Sequence, residues 1–158
     1  MEITVKPFER SDVEAVLGLL HEFAEYENLI EFLEVTTHRI ETAFFADGSV
    51  VEGLIARADG EAIGYAFFYP NFASFRGQRG FYLEDIYIRE SYRGKGVGEQ
   101  MLRELARLAA SRGYERIDFV VLDWNKSAIG FSKKLGAEMD HSERHFKFTD
   151  AAFQELAE

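Results

Sequence analysis

No cysteine occurs among the 158 residues of this sequence, and there are only two prolines. The absence of thiols excludes disulfide bonds, thiolate metal ligands and a covalent intermediate on cysteine. No apolar run approaches the roughly 18 residues that a membrane-spanning helix requires. Residues 1–8 alternate like a strand and lack the apolar segment of a signal peptide. We therefore expect a cytoplasmic protein without a membrane partner.

Basic residues are also scarce, since 18 lysines and arginines stand against 28 aspartates and glutamates, for a formal net charge of −10. Nucleic-acid binding needs a basic face, so this charge argues against a nucleic-acid partner. An acidic surface suits a cationic ligand, although it also serves simply to keep a protein soluble. The four histidines form no HExxH pattern, and we expect no metal site.

The composition is that of a folded protein, with 47% apolar and 29% charged residues. The length suits a single domain spanning residues 1–158 with one buried core. Aromatic residues make up 15% of the chain, which favours a β-containing core or a cleft lined by rings.

The spacing of apolar residues predicts the main elements. Strands are expected at 3–8, 50–59, 61–70, 81–88, 116–124 and 143–149, and helices at 13–26, 36–45, 96–112, 125–136 and the C-terminus. Ser11 to Glu14 form a capping-box pattern, Asp59-Gly60 is a hairpin turn, and residues 71–80 read as a polar loop. The order β-α-α-β-β-β-α-β-α-β predicts an α+β fold around one mixed sheet.

The sharpest local feature is the loop Tyr92-Arg-Gly-Lys-Gly-Val-Gly98, between a strand and an amphipathic helix. Glycine lets a backbone approach a ligand closely, and the N–H groups of a helix N-terminus attract anions. A pyrophosphate fits such a loop. A Walker A loop is excluded because Glu99 follows the last glycine, and GxGxG in mid-chain is a poor match to a dinucleotide fingerprint, although Asp118 lies about 20 residues on. A tight loop without a ligand stays open as an alternative.

Several motifs together resemble a known family. The pattern Arg93-x-x-Gly96-x-Gly98 resembles the acyl-CoA pyrophosphate motif of the GCN5-related N-acetyltransferases (GNAT). The segments 82–85 (YLED), 92–94 (YRG), 123–125 (DWN), 135–137 (LGA) and 20–27 (LHEFAEYE) are similar to the branch that acetylates polyamines and thialysine. The resemblance covers nearly the whole chain. It implies a mixed central sheet with helices on both faces.

The resemblance implies acetyl-CoA as the acyl donor and assigns groups of residues to it. The pyrophosphate would be held by Arg93, Gly94, Lys95, Gly96, Val97 and Gly98. The backbone of Ile86, Tyr87 and Ile88 would lie beside the pantetheine arm, and Asn125, Phe131 and Lys133 complete the cofactor-binding set. Asn125 also suits a helix cap, Phe131 suits core packing, and Lys133 suits a solvated helix face.

The strand FYLEDIYI carries two adjacent carboxylates, Glu84 and Asp85. Successive side chains of a strand face opposite sides, so we expect these two to line different pockets. A satisfied structural carboxylate is the simpler explanation for Asp85. The resemblance implies that Glu84 binds or deprotonates the substrate amine, which agrees with the chemistry because an alkylammonium must lose a proton before it attacks a thioester.

Ser132 departs from the family pattern, which usually has a tyrosine here to protonate the departing thiolate. A serine hydroxyl is shorter and a much weaker acid. We list Ser132 with Glu84 as a catalytic candidate, and we keep the alternative of a non-catalytic acyl-CoA-binding module that has lost its general acid. A nucleotide-binding protein is a third hypothesis.

The amine site is implied by resemblance at Tyr26 and Glu27, at the end of the first helix, and at the loop 70–78. That loop contains no acid and includes Arg76, which weakens the case for spermidine or spermine. A diamino acid such as thialysine, whose carboxylate Arg76 could bind, becomes at least as good a candidate. The alternative for Arg76 is a solvated loop cation. The expected partners are therefore a small-molecule amine and, by resemblance, a second copy in a homodimer.

Overall fold

A five-stranded sheet is the frame of the fold in the computed structural model, which describes all residues from 1 to 158. In sequence order the strands are β1 (Ile3–Pro7), β2 (Glu52–Ala58), β3 (Glu61–Ala73), β4 (Gln78–Ile88) and β5 (Arg116–Asp118). The same order holds across the sheet. The first four strands are antiparallel neighbours, and β5 runs parallel to β4. The sheet is therefore mixed, as predicted.

The contacts divide the chain into two units, residues 1–120 and residues 121–158. The first unit holds the sheet and the helices α1 (Val13–Tyr26), α2 (Thr37–Phe45) and α3 (Val97–Ser111). The second unit holds α4 (Lys126–Lys134) and α5 (Asp150–Ala157).

Helices cover both faces of the sheet in the first unit because apolar side chains alternate along the strands. Leu54 and Ala56 of β2 belong to the core beneath α3, whereas Ile55 between them belongs to the core beneath α1 and α2. The α3 stripe buries Val97, Met101, Leu105 and Ala109. The predicted α+β class with a mixed central sheet is confirmed.

The hairpin of β3 and β4 is longer than predicted, so the expected loop at 71–80 is wrong. Pairing continues through Asn71 with Gly80 to Ala73 with Gln78, and only the residues between Ala73 and Gln78 form the turn. Gly77 there has a φ of +61°, which favours glycine. The polar residues of this segment misled the prediction because an exposed hairpin end needs no apolar face.

Two other predicted strands differ from the structure. The strand expected at 116–124 pairs only over Arg116–Asp118, and no strand forms at 143–149. Within the latter segment the side chains of Phe146 and Phe148 are exposed, so the alternating pattern there has no neighbouring strand to pair with. The predicted capping box of the first helix is also wrong. The N-cap of α1 is Asp12, whose side chain makes no capping hydrogen bond to the helix, and the capping box of Glu9 and Asp12 belongs to the short 3-10 helix Arg10–Asp12 that precedes α1.

The second unit begins with a capped helix. The side-chain oxygen of Asn125 accepts a hydrogen bond of 3.2 Å from the Ala128 N–H, as the sequence predicts. Gly136, with a φ of +101°, follows the last turn of α4. Across the whole chain, no helix combines the length and the apolar character that crossing a membrane requires.

Candidate active site

A β-bulge in β4 sets the geometry of the site. Phe67 of β3 pairs with Asp85 and Phe68 pairs with Leu83, so Glu84 is an extra residue without a partner on β3. Such an extra residue disrupts the ladder and changes the phase of side chains along a strand. The prediction that the two carboxylates line different pockets is therefore wrong, because Glu84 and Asp85 line the same cavity.

This cavity has a volume of about 480 Å³, within the range of about 300–1,000 Å³ for small-ligand sites. It is bounded by β3, β4, the middle of α1 at Leu20, the residues before α2 and α2 itself. Its walls are mainly apolar and include Leu20, Leu33, Val35, Ile40, Ala43, Phe44, Val51 and Phe67. An apolar cavity with two carboxylates on one wall suits a cation with an apolar body, because each carboxylate gains an opposite charge there.

Asp85 is the more buried of the two carboxylates. It accepts a hydrogen bond of 3.2 Å from the hydroxyl of Tyr65. Burial raises the pKa of Asp85 to about 6, and the negative charge of Glu84 adds to the rise, while the bond from Tyr65 opposes it. Glu27 also contributes to the rise, and burial raises its own pKa. Asp85 therefore changes its charge close to neutral pH.

Glu84 is exposed and has a phenol beside it. The hydroxyl of Tyr69 lies 3.5 Å from its carboxylate, and the rings of Tyr69 and Tyr82 are 5.4 Å apart. Burial and the charge of Glu84 raise the pKa of both tyrosines, so both phenols stay protonated. Glu84 is thus a carboxylate that can accept a proton and exchange it with solvent.

The glycine loop forms an open anion site at the start of α3. Gly94 and Gly96 have φ values of +73° and +81°, and a Cβ at either position would meet no atom within 4 Å. Backbone conformation, not crowding, therefore favours glycine here. Gly96 is the N-cap of α3, and Val97 and Gly98 stand in its first turn. The N–H groups of a first turn have no intrahelical partner and carry partial positive charge.

The two cations of the loop have different surroundings. The Nε of Arg93 donates a hydrogen bond of 2.8 Å to the Ile88 carbonyl, and its guanidinium carbon lies 4.3 Å from the ring centre of Tyr26. Arg93 therefore ties the loop to the end of α1. Lys95 is exposed, with its ammonium 5.4 Å from the ring centre of Tyr92, and is the cation with more freedom to reach a phosphate.

One edge of β4 has no neighbouring strand beyond its first residues. Strand β5 pairs with β4 only at Gly80, Phe81 and Tyr82, whereas β4 continues to Ile88. The side chains of Ile86 and Ile88 pack against the core beneath α3, and Tyr87 belongs to the core beneath α1. The groups at this edge that can pair with an extended ligand are therefore the backbone N–H and C=O groups of Ile86, Tyr87 and Ile88.

In the second unit, Ser132 uses its hydroxyl inside its own helix. Its Oγ donates a hydrogen bond of 2.8 Å to the carbonyl of Ala128, one turn earlier, a common arrangement for helical serines. Lys133 lies in the last turn of α4 and is exposed, and Phe131 is 37% exposed. The phenylalanine is therefore not a buried core residue.

Besides Glu84, three residues were predicted for the amine site. Tyr26 and Glu27 lie at the end of α1 as expected, but neither lines the cavity of Glu84 and Asp85. The charge of Glu27 nevertheless contributes to the raised pKa of Asp85. Arg76 stands in the exposed turn of the hairpin and does not line the cavity. The arginine that lines the cavity is Arg39, on α2.

The sequence analysis missed the cavity role of Asp85 and the contributions of Tyr65, Tyr69 and Arg39. A signal for the bulge was present, because two adjacent acidic residues interrupt an otherwise apolar strand and break its alternation. No comparable signal marked Arg39, whose position depends on how α2 packs. No group of three or more histidine, aspartate and glutamate side chains is arranged to hold a metal ion.

Comparisons with known proteins identify the family, related chains and a similar fold. The sequence profile of the Acetyltransferase (GNAT) family matches residues 14–137. A thialysine N-epsilon-acetyltransferase of Bos taurus is 32% identical, over 98% of this chain and 97% of the relative. An L-ornithine N5-acetyltransferase of Arabidopsis thaliana is 40% identical, over 59% of this chain and 41% of the relative. The structure of an integron cassette protein of V. cholerae superposes with a TM-score of 0.82 at 22% identity, over 99% of this chain and 98% of that one, which supports the fold.

Proposed function

This chain belongs to the Acetyltransferase (GNAT) family, and we propose that it transfers an acetyl group from acetyl-CoA directly to a primary amine of a small diamino acid or polyamine. The observation that carries the proposal is the pair Glu84 and Asp85 on the wall of one apolar cavity. Relatives named for thialysine and L-ornithine N-acetylation support an amine acceptor.

Glu84 takes the proton of the acceptor in this proposal. A primary alkylammonium has a pKa near 10 and is not nucleophilic until it is deprotonated. Glu84 is exposed beside the cavity, so it can hold the cation, accept its proton and release that proton to water. Asp85, which is more buried, supplies a second negative charge that draws the ammonium in.

The donor side of the site fits a coenzyme A thioester. The open space at Gly94 and Gly96, the unpaired N–H groups of the first turn of α3 and Lys95 together suit a pyrophosphate. The free edge of β4 at Ile86 to Ile88 suits an extended arm that carries amide groups. Acetyl-CoA supplies the acetyl group as a thioester. The amine nitrogen forms the new C–N bond as the C–S bond breaks, and the sulfur leaves with a proton.

Ser132 occupies the position at which related sequences usually have the tyrosine that protonates the departing thiolate. Its hydrogen is donated to the Ala128 carbonyl, so a direct proton transfer from Ser132 would first break that bond. A thiol has a pKa near 8.5 and leaves without much help. We therefore assign Ser132 a minor part, in which its oxygen holds a water that protonates the sulfur.

The test is thiol release from acetyl-CoA by the purified protein with spermidine, spermine, putrescine, thialysine and lysine. We expect turnover with at least one of these amines, and loss of it in Glu84→Gln. Normal binding of coenzyme A without turnover on any primary amine would overturn the proposal in favour of a non-catalytic module.

The resemblance to the polyamine and thialysine branch also supports a homodimer. Light scattering across a range of protein concentrations gives the mass directly. A monomer of 18.1 kDa at all concentrations would contradict this part of the proposal and leave the chemistry untouched.

A further inference from the structure

The cavity lined by Glu84 and Asp85 is also lined by two further charged residues. Glu34, which precedes α2, and Arg39, in the first turns of α2, line the same cavity and are both exposed. Most of the other lining side chains are apolar, including Leu20, Val35, Ile40 and Phe44. The cavity therefore combines two carboxylates and mainly apolar walls with one further charge of each sign.

The side-chain charges of Glu34 and Arg39 are not used by the fold. Neither the guanidinium of Arg39 nor the carboxylate of Glu34 makes a side-chain hydrogen bond or an ion pair in the structure. Most other arginines are engaged, with ion pairs or hydrogen bonds at Arg10, Arg57, Arg79, Arg89, Arg93, Arg103, Arg107, Arg112 and Arg116. Arg39 is thus an unpaired cation on the wall of a ligand-sized cavity.

The backbone that carries Arg39 is held in place. The N–H of Arg39 donates a hydrogen bond of 3.1 Å to the side chain of Thr36, the N-cap of α2. The next residue, Ile40, is buried beneath the sheet, and Thr37 reaches Glu14 of α1 over 3.4 Å. The start of α2 is therefore fixed, and the side chain of Arg39 is presented from a fixed point.

We propose that Arg39 and Glu34 bind the carboxylate and the ammonium of an α-amino acid, so that the acceptor is an α-amino acid whose apolar side chain ends in the reacting amine. This inference rests on the proposed function and names the substrate class of the same site. Arg39 pairs with the α-carboxylate, Glu34 pairs with the α-ammonium, and the side-chain amine reaches Glu84 and Asp85. The carboxylate is thus read by Arg39 and not by Arg76.

The mainly apolar lining of the cavity favours this class over longer polyamines. Spermidine and spermine carry an ammonium group within the chain, and apart from its charged residues and Tyr69 the cavity offers that charge only apolar side chains such as Leu20, Val35 and Phe44. A charge without a partner on an apolar wall is costly. The methylene or thioether spacer of lysine or thialysine carries no such charge and gains from burial there.

The experiment compares acceptors that differ in one group only. Lysine carries both α-groups, cadaverine lacks the carboxylate, and 6-aminohexanoate lacks the α-ammonium. We expect kcat/KM for lysine or thialysine to exceed that for cadaverine by about 10-fold or more, as for loss of a charge-assisted hydrogen bond. A loss is also expected for 6-aminohexanoate, because it lacks the α-ammonium that Glu34 would bind.

Substitutions of Arg39 and Glu34 test whether these residues bind the α-carboxylate and the α-ammonium. Arg39→Ala should lower kcat/KM for lysine by about 10-fold without lowering it for cadaverine, which has no carboxylate for Arg39 to bind, whereas Arg39→Lys should retain part of the preference. Glu34→Gln should reduce the advantage of lysine over 6-aminohexanoate. Arg107→Ala is the matched control, because Arg107 is an exposed arginine on α3 that pairs only with Glu104. Thermal unfolding of each variant shows whether the fold is retained.

The outcomes separate this inference from the proposed function. Turnover with an equal or greater preference for cadaverine overturns the inference and leaves the acetyltransferase proposal in place. A lysine preference that disappears in Arg76→Ala but persists in Arg39→Ala also overturns it. No thiol release with any of these amines, with coenzyme A binding intact, overturns both.

Discussion

The hydroxyl of Tyr65 donates a 3.2 Å hydrogen bond to Asp85, and Asp85 shares its cavity with Glu84. Tyr65 is fully buried, so the bond has a fixed geometry. Burial and the charge of Glu84 nevertheless raise the pKa of Asp85 to about 6. Asp85 is therefore a largely buried carboxyl group that is partly protonated near neutral pH.

Asp85 should make the protein less stable as the pH rises. Its pKa is 3.8 in the ordinary case and about 6 in the folded protein, so between these values the folded state holds a proton that the unfolded chain has released. The contribution to stability is full below about pH 4 and is lost as the pH rises through 6. Asp85→Asn, which keeps an acceptor for Tyr65, should raise the free energy of unfolding at pH 8 by up to about 3 kcal/mol and give no gain at pH 4.

Urea unfolding of Asp85→Asn and the wild type at both pH values measures this difference. Asp118→Asn is a control of opposite sign, because the hydrogen bond from Arg116 lowers the pKa of Asp118. That variant should lose stability above pH 4. An Asp85→Asn variant that is destabilised equally at pH 4 and pH 8 would contradict the prediction.

Glu84→Gln should lower kcat/KM for the amine by about 10²–10⁴-fold, the usual contribution of a positioned general base. The affinity for coenzyme A should be unchanged, since the donor binds at other residues. Tyr69→Phe is the comparison, because it removes only the hydroxyl that lies 3.5 Å from Glu84. Thiol-release kinetics above and below pH 8 measure both variants. A Glu84→Gln enzyme with wild-type kcat/KM would remove Glu84 from the chemistry.

Ser132→Tyr should increase kcat by about 10²-fold, the low end of the range for general acids, because a thiol leaves readily. The gain requires the phenol, so Ser132→Phe, which has the ring without the hydroxyl, should show none. Single-turnover kinetics with saturating acetyl-CoA measure the step directly. Equal rates for the tyrosine and phenylalanine variants would show that a hydroxyl at 132 has no role in proton transfer.

Gly96→Ala should destabilise the protein by about 1 kcal/mol, because its φ of +81° strains a residue that has a Cβ. It should also weaken coenzyme A binding by about 10-fold, since the Cβ would occupy space next to the α3 N–H groups. Gly60→Ala is a matched control, because Gly60 in the β2–β3 turn has a φ of +88° and equally open surroundings. Calorimetric titration should find coenzyme A affinity reduced in the first variant only.

The sequence predicted most of the regular elements and the position of the glycine loop before α3, but it did not predict which residues line the cavity. Helix α1 was predictable from the helical spacing of its apolar residues. The glycine loop was predictable because its alternating glycines favour backbone conformations with positive φ. The sequence did not predict which face of the sheet each side chain of β4 occupies. Strict alternation fails when one residue, here Glu84, is left out of the ladder. Arg39 could not be found either, since its place on the cavity wall depends on the packing of α2 against α1 and the sheet.

The β-bulge places Glu84, the residue that we propose as the proton acceptor, outside the ladder that joins β4 to β3. Leu83 and Asp85 already pair with successive residues of β3, so deleting Glu84 would leave an uninterrupted ladder with both cores facing as before. The carboxylate that we propose as the proton acceptor is thus on a residue that the pairing of β4 with β3 does not use. Replacement or loss of Glu84 would therefore leave the pairing of β3 with β4 unchanged.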